Sequence, residues 1–278
     1  MSLKLMYITN RPDVALIAED AGVDRIFVDM EYIGKSDRQG GMDTVQCRHT
    51  IEDVLTIKQV ITSSEIMVRV NPIHSANDNY SSSEDEINSV VGSGADVIML
   101  PYFKTVDEVK TFLSLVGGRA KTLLLFETPE SVELVDEILS LEGIDEVFVG
   151  LNDLSLGYKK KFMFELLADG TVESLCLKFR QKGLPYGFGG IAAIGKGMLP
   201  AERIIAEHYR LGSTCAILSR SFCNVTADSN LKEVKSIFDQ GVKEIRDFES
   251  ECEKKISWFW KNREQMCKNI YEISESRL

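Results

Sequence analysis

The sequence predicts an α/β fold: a (β/α)8 barrel of the TIM type followed by a long C-terminal helical extension. Three observations lead there. Eight short apolar runs, separated by polar turns and helix patterns, follow one another through the first 223 residues. The runs are apolar on consecutive positions, as in Val97-Ile-Met-Leu100 and Leu123-Leu-Leu-Phe126. That is the pattern of a strand covered on both faces, whereas a half-exposed strand would alternate. Glycines close several of the helix patterns, where a left-handed residue ends the helix. The rival fold, an open doubly wound sheet, lacks its dinucleotide fingerprint, because no GxGxxG follows the first strand. The length of 278 residues suits a barrel of about 250 residues plus an extension.

In chain order, the strands are expected at Leu3–Thr9, Arg25–Glu31, Glu65–Asn71, Asp96–Phe103, Lys121–Thr128, Glu146–Asp153, Pro185–Ile194 and Cys215–Phe222. The helices between them are expected at Val14–Ala21, Ile51–Ile61, Glu84–Val91, Val106–Val116, Ser131–Leu141, Val172–Gln181 and Ala201–Arg210. Gly22, Gly94, Gly117-Gly118, Gly143, Gly183 and Gly212 are the stop signals, and Pro129 and Pro200 fall at helix starts.

Two stretches break the cycle. Tyr32–Arg48 places 17 residues between the second strand and its helix, and a loop of that length is usually functional or mobile. We expect it over the C-terminal mouth of the barrel, contributing specificity. From Asp228 to about Ser274 an apolar stripe recurs at helical spacing through Leu231, Val234, Phe238, Ile245, Phe248, Ile256, Phe259 and Ile270. It exceeds the roughly 12 residues that cover one strand. The division is therefore a barrel over 1–223 and an extension over 224–278, expected to pack on another subunit of a homo-oligomer.

Composition excludes several classes. The net charge of −11, of which the residues before Asp228 carry −10, disfavours a nucleic-acid-binding surface. The longest useful uncharged run, Gly183–Gly195, has 13 residues, short of the roughly 20 needed to span a bilayer. The N-terminal Leu-Met-Tyr-Ile run is too short for a signal peptide. The six cysteines (Cys47, Cys176, Cys215, Cys223, Cys252 and Cys267) form no CxxC pair. Reduced structural thiols in a cytoplasmic protein are the expectation, with no membrane or nucleic-acid partner.

Chemistry in this fold belongs at the C-terminal strand ends. There the sequence places Asp29 and Glu31, Arg69 and Asn71, Pro101, Glu127 and Thr128, Asn152 and Asp153, Gly187–Gly190, and Ser219 and Arg220. Glu127 and Asp153 each close a buried run on neighbouring strands. Two carboxylates side by side repel unless a cation lies between them, and oxygen ligands suit Mg²⁺ or Mn²⁺. Alternatively, both acids cap the following helices. Arg69 either pairs with a local acid or binds a substrate carboxylate or enolate oxygen. Gly189 and Gly190 allow close approach of a ligand, or tight barrel packing. No lysine ends a strand in a clear pocket position, which disfavours a Schiff-base aldolase.

The pieces Asp29-Met-Glu31, Val-Arg69-Val-Asn-Pro, Met-Leu-Pro101, Phe-Glu127-Thr-Pro and Val-Gly150-Leu-Asn-Asp153-Leu-Ser occur in order across about residues 3–223. In this the chain resembles the HpcH/HpaI aldolase and citrate lyase β-subunit family of the phosphoenolpyruvate/pyruvate-binding barrels. The resemblance implies a divalent metal on Glu127 and Asp153, and Arg69 on the keto or enolate oxygen. It also implies that backbone N–H groups near Asn152 and Asp153 bind a pyruvate-like carboxylate, and that the last helix is exchanged between barrels. The aldolase branch carries a histidine directly after Asp-x-Glu, where this chain has Tyr32. His49, after the insertion, is either the displaced base or a helix-start residue. The citrate-lyase branch uses acids on strand two, a role open to Asp29 and Glu31, which otherwise bond the metal's waters. His74 and His208 read as a loop residue and an outer-helix residue.

The resulting expectation is a metal-dependent carbon–carbon lyase acting on a 4-hydroxy-2-keto acid through a pyruvate enolate. The alternatives are a citramalyl- or malyl-CoA or citrate-lyase-β-like lyase, and a non-catalytic pyruvate-binding or assembly subunit.

Overall fold

β1 (Lys4–Ile8), β2 (Arg25–Asp29), β3 (Glu65–Arg69), β4 (Val97–Leu100), β5 (Lys121–Phe126), β6 (Glu146–Val149), β7 (Tyr186–Ile191) and β8 (Cys215–Leu218) are parallel in the computed structural model. They pair in sequence order, and β8 returns to β1, so the sheet closes into a barrel. The structure describes residues 2–35, 48–254 and 256–277. Most of the expected mouth loop, residues 36–47, lies outside the described residues, as does Cys47.

The intervening helices are α1 (Pro12–Asp20), α2 (Ile51–Lys58), α3 (Ser83–Gly92), α4 (Val106–Val116), α5 (Pro129–Glu133), α6 (Val135–Ile138), α7 (Leu151–Gly157), α8 (Glu165–Ala168), α9 (Thr171–Gln181) and α10 (Ala201–Leu211). Thr50, Ser82, Thr105 and Thr128 open α2, α3, α4 and α5 with reciprocal capping boxes, which satisfy otherwise orphaned amides. Gly117 and Gly212 close α4 and α10 in the left-handed conformation. The expected Ser131–Leu141 helix is broken at Leu134 into α5 and α6. The short helices α7 and α8 fall where the sequence reading placed none.

Strand parity sorts the core. Alternate residues turn inward, so Met6, Phe27, Met67, Val97, Met99, Leu123, Leu125, Phe148 and Cys215 fill the barrel. The other parity packs under the helices in a larger apolar layer. The same alternation carries charged residues to both ends of the barrel. Arg25 and Glu146 lie at the N-terminal end, Asp29 and Arg69 at the C-terminal end.

The extension holds two helices, α11 (Leu231–Lys254) and α12 (Phe259–Glu275), joined by a short 3-10 turn at Ile256–Trp258. α11 lies on α1 and α10, and α12 on α8 and α10. Val234, Phe238, Ile245, Phe259, Met266 and Ile270 are buried against the chain's own barrel. Most of the stripe that led us to expect a contact with another subunit is thus covered within the chain, while Leu231 stays exposed and Phe248 is half-buried. A barrel wall wide enough for two helices accounts for its length. Among the described residues, no helix is long and apolar enough to cross a membrane. The five described cysteines are free thiols.

Candidate active site

Register builds the centre of the site. Asp29 and Arg69 are cross-strand partners at the C-terminal ends of β2 and β3. Arg69 donates Nε to Asp29 Oδ1 at 2.8 Å and Nη2 to Oδ2 at 2.7 Å, a bidentate fork. Its guanidinium carbon stands 5.4 Å from the Phe27 ring centre, on the apolar middle of the barrel. Glu31 Oε2 lies 3.4 Å from Arg69 Nη1. Burial alone would raise the Asp29 carboxyl, but Arg69 and then Lys35 overcome it and hold it well below the ordinary carboxylate range. Burial opposes the charge on Arg69, yet Asp29, Glu31 and Glu127 keep its guanidinium firmly protonated.

Lys35 is the residue that the sequence reading missed. It belongs to no strand and follows a glycine, so only its spacing from Asp29 and Glu31 could have drawn notice. Its buried ammonium lies 2.9 Å from Asp29 Oδ2 and 3.4 Å from Glu31 Oε2. Set between two carboxylates, it occupies the place of a counter-ion rather than that of a neutral amine nucleophile.

His49 reaches the site, and it also stands immediately before the N-cap of α2. Its backbone N–H donates to Asp29 O at 3.3 Å, and the Asp29 N–H donates to His49 Nδ1 at 3.0 Å. An amide can only donate, so Nδ1 is the acceptor and the proton of the neutral ring is on Nε2. Burial lowers the imidazole's pKa, against the pull of Asp29 and Asp53, and so favours that neutral ring. The lone pair a base would use is already engaged. His49 is thus a donor at Nε2 with Nδ1 engaged, which departs from the expected base.

Glu127 follows β5 directly and is buried. Its Oε1 accepts the Tyr102 N–H at 3.0 Å, and Tyr102 takes a left-handed φ of 48° to aim that amide. A Cβ at Gly150 would come within 2.7 Å of Glu127 Oε2, so only glycine lets β6 pass beside this acid. Asp153 does not end a strand as expected. β6 stops at Val149, and the buried Asp153 lies in the first turn of α7. Neither acid caps a helix. Thr128 caps α5, and α7 has no side-chain cap. The helix-capping alternative therefore fails. Both acids line a cleft of about 260 Å³ with Tyr102, Lys104 and Thr128. A larger open groove of about 720 Å³ runs along α11, but its Lys232, Lys235, Asp239, Lys243 and Glu244 are charges of both signs on one exposed helix face.

Among the described residues, no group of three His, Cys, Asp or Glu side chains gathers for a metal. Glu127 and Asp153 nonetheless fit a hard divalent cation, because they offer oxygen donors only and lie buried on one cleft. A cation held by two acids keeps positions for water and substrate oxygens.

The glycines of β7 have packing reasons. Gly189 has φ +54°, and a Cβ there would meet Leu151 Cδ1 at 2.6 Å. At Gly190 a Cβ would press on Ser219 at 3.3 Å. Packing thus accounts for the missing side chains, while both glycines stay partly exposed. Asn152, in the first turn of α7, accepts the Ser155 hydroxyl on its carbonyl at 2.7 Å. His74 is a loop residue as expected, bonded to Pro72 and Ser81 carbonyls. His208 lies on an outer helix, α10, as expected, and there its ring is fully buried.

The family model for HpcH/HpaI aldolase/citrate lyase matches residues 4–165. The chain belongs to the HpcH/HpaI aldolase/citrate lyase family, whose members are carbon–carbon lyases. It is similar in fold to an HpcH/HpaI aldolase from Desulfitobacterium hafniense DCB-2, at 16% identity and a TM-score of 0.58, over 88% of this chain and 93% of that one. At that identity the likeness speaks for the fold alone. No curated protein matches the sequence significantly.

Proposed function

We propose that this protein is a metal-dependent lyase of the class II aldolase type, which cleaves or forms a 4-hydroxy-2-keto acid through a pyruvate enolate. The observation that carries the reading is the nearness of the Arg69 guanidinium, whose charge Glu127 helps to hold, to a cleft lined by two buried acids, Glu127 and Asp153. Glu127 and Asp153 would hold Mg²⁺ or Mn²⁺, which when bound supplies a Lewis acid for the keto and carboxylate oxygens. Arg69 has its Nε and Nη2 committed to Asp29, so it would offer the Nη1 edge to the keto oxygen. There it would stabilise charge as the bond between C3 and C4 breaks and the electron pair moves toward that oxygen. The first-turn amides near Asn152 and Asp153 would take the substrate carboxylate.

The proton of the 4-hydroxyl must leave as the aldehyde forms. Asp29 lies 2.7 Å from Arg69 and 2.9 Å from Lys35, whereas Glu31 stands 3.4 Å from each, and with His49 a donor at Nε2 we assign Glu31 to receive it. His49 would donate a hydrogen bond to the departing carbonyl oxygen. The test is proton exchange from the methyl group of pyruvate, with Mg²⁺ and with a chelator. Exchange should stop with the chelator and in Glu127→Gln or Asp153→Asn. Exchange unchanged by metal removal rules the mechanism out. Tight pyruvate binding without exchange or turnover would instead favour the non-catalytic binding subunit.

A further inference from the structure

Lys35 is delivered to the site by a built arrangement. Asn71, at the end of β3, accepts the N–H groups of Tyr32 and Ile33 on Oδ1, each at 2.9 Å. Its own amide is fixed by donation to Glu86 Oε1 at 2.8 Å and Met30 O at 3.3 Å. The chain then turns, Lys35 N–H donating to Tyr32 O at 3.2 Å, with Gly34 at φ +70°. A side chain at Gly34 would resist that conformation. The turn directs Lys35 back to Asp29 and Glu31 at the mouth.

There, Lys35 and Arg69 meet the same two oxygen atoms. Asp29 Oδ2 lies 2.9 Å from Lys35 Nζ and 2.7 Å from Arg69 Nη2. Glu31 Oε2 lies 3.4 Å from Lys35 Nζ and 3.4 Å from Arg69 Nη1. Arg69 has already spent Nε and Nη2 on Asp29, so Nη1 is the edge it has to offer a ligand, and Glu31 competes for that edge. An ammonium that shares Glu31 weakens the competition. We propose that Lys35 is a positioning residue, which shares the strand-two acids with Arg69 and so keeps the Nη1 edge of Arg69 available to a keto acid. This rests on the reading of Arg69 as the keto-acid ligand.

The experiment measures calorimetric binding of oxalate to the full chain in Mg²⁺, beside thermal melting of the same proteins. Lys35→Met should weaken oxalate binding about tenfold or more, because Arg69 then turns to Glu31. Lys35→Arg should bind within about threefold of the unmodified chain, since the charge is kept. Glu31→Gln should bind as well as that chain or better. The double variant Lys35→Met/Glu31→Gln should recover most of the affinity lost in Lys35→Met, which a packing role for Lys35 would not produce. Unchanged binding in Lys35→Met, weakened binding in Glu31→Gln, or no recovery in the double variant overturns the proposal. If Lys35→Met does not fold, Glu31→Gln and the double variant still decide it. If the unmodified chain binds no oxalate, the keto-acid reading fails, and melting decides the charge sharing. The double variant should then melt above Lys35→Met, and additive losses overturn the sharing.

Discussion

His208 lies flat against Phe188, with 3.8 Å between ring centres and 3° between planes, and its Nδ1 meets the Ser213 hydroxyl at 2.8 Å. Burial pushes its pKa down to about 3, against about 6.5 in an unfolded chain. The unfolded state therefore binds the extra proton between these values, and stability is complete above about pH 6.5 and lost as the pH falls. The expected slope is about 1.4 kcal/mol per pH unit between pH 6 and 4, read by urea unfolding. His208→Phe should flatten it; an equal slope in the variant would show that His208 is not the group responsible. Asp29 acts with the same sign in a lower window, lending stability that is present above about pH 4 and lost below it. Residues of this kind divide by what sequence can reveal. Asp29, Arg69 and Glu127 were legible, because a charged residue that closes an apolar run has few places to go but the barrel mouth. Lys35 was not, since its position follows from a turn and from the Asn71 bonds, contacts set by three-dimensional structure. The state of His49 was not legible either, because it depends on one amide across the loop.

At the scale of elements, α11 and α12 are part of the barrel's own cover. Glu249 Oε1 accepts the Leu3 N–H at 2.7 Å, Arg246 Nη1 donates to Leu3 O at 2.7 Å, and Arg263 Nη1 reaches Glu207 at 2.8 Å. The helical period of the tail was clear in the sequence, but not the surface it covers, because an apolar stripe fits its own barrel as well as a partner. Removal of the chain after Asn224 should abolish cooperative folding or lower the melting temperature sharply, followed by circular dichroism. A truncated chain that melts like the full one contradicts this role. Gly241 gives a finer test. Alanine there would gain about 1 kcal/mol of helix propensity. Its Cβ would come within 2.7 Å of the Phe222 ring, which is itself held edge-on against Phe238. Overpacking of a fixed ring costs about 1–3 kcal/mol, so the clash should win and Gly241→Ala should destabilise. A stabilised variant in urea unfolding would mean that Phe222 can move aside.

For the whole molecule, strand parity stacks three layers along the barrel axis, and the two charged ones do different work. At the N-terminal end Arg25, wholly buried, donates Nη2 to Glu65 at 2.7 Å and to Glu146 at 2.8 Å, with Lys4 3.0 Å from Glu65. The apolar layer of Phe27, Met67 and Phe148 separates this plug from Asp29 and Arg69. In this fold the N-terminal end serves stability and the C-terminal end chemistry. The sequence reading followed only the C-terminal ends, since charges at strand starts look like ordinary turn residues until the barrel closes and brings Arg25 to Glu146. The two arginines should therefore part company. Arg25→Met strands Glu146 in the interior, with Lys4 only at 3.9 Å. It should cost about 3–5 kcal/mol of stability, because breaking a buried pair leaves one charge uncompensated. The fraction that remains folded should exchange pyruvate protons at the unmodified rate. Arg69→Met leaves Asp29 with Lys35 at 2.9 Å, so its stability loss should be the smaller of the two. Its exchange rate should fall by about 10²-fold or more, the scale of a lost charge-stabilising donor. Urea unfolding and proton exchange measured on both variants decide the matter. If Arg25→Met loses exchange in its folded fraction, or if Arg69→Met keeps it, the barrel's ends do not divide stability from chemistry in this way.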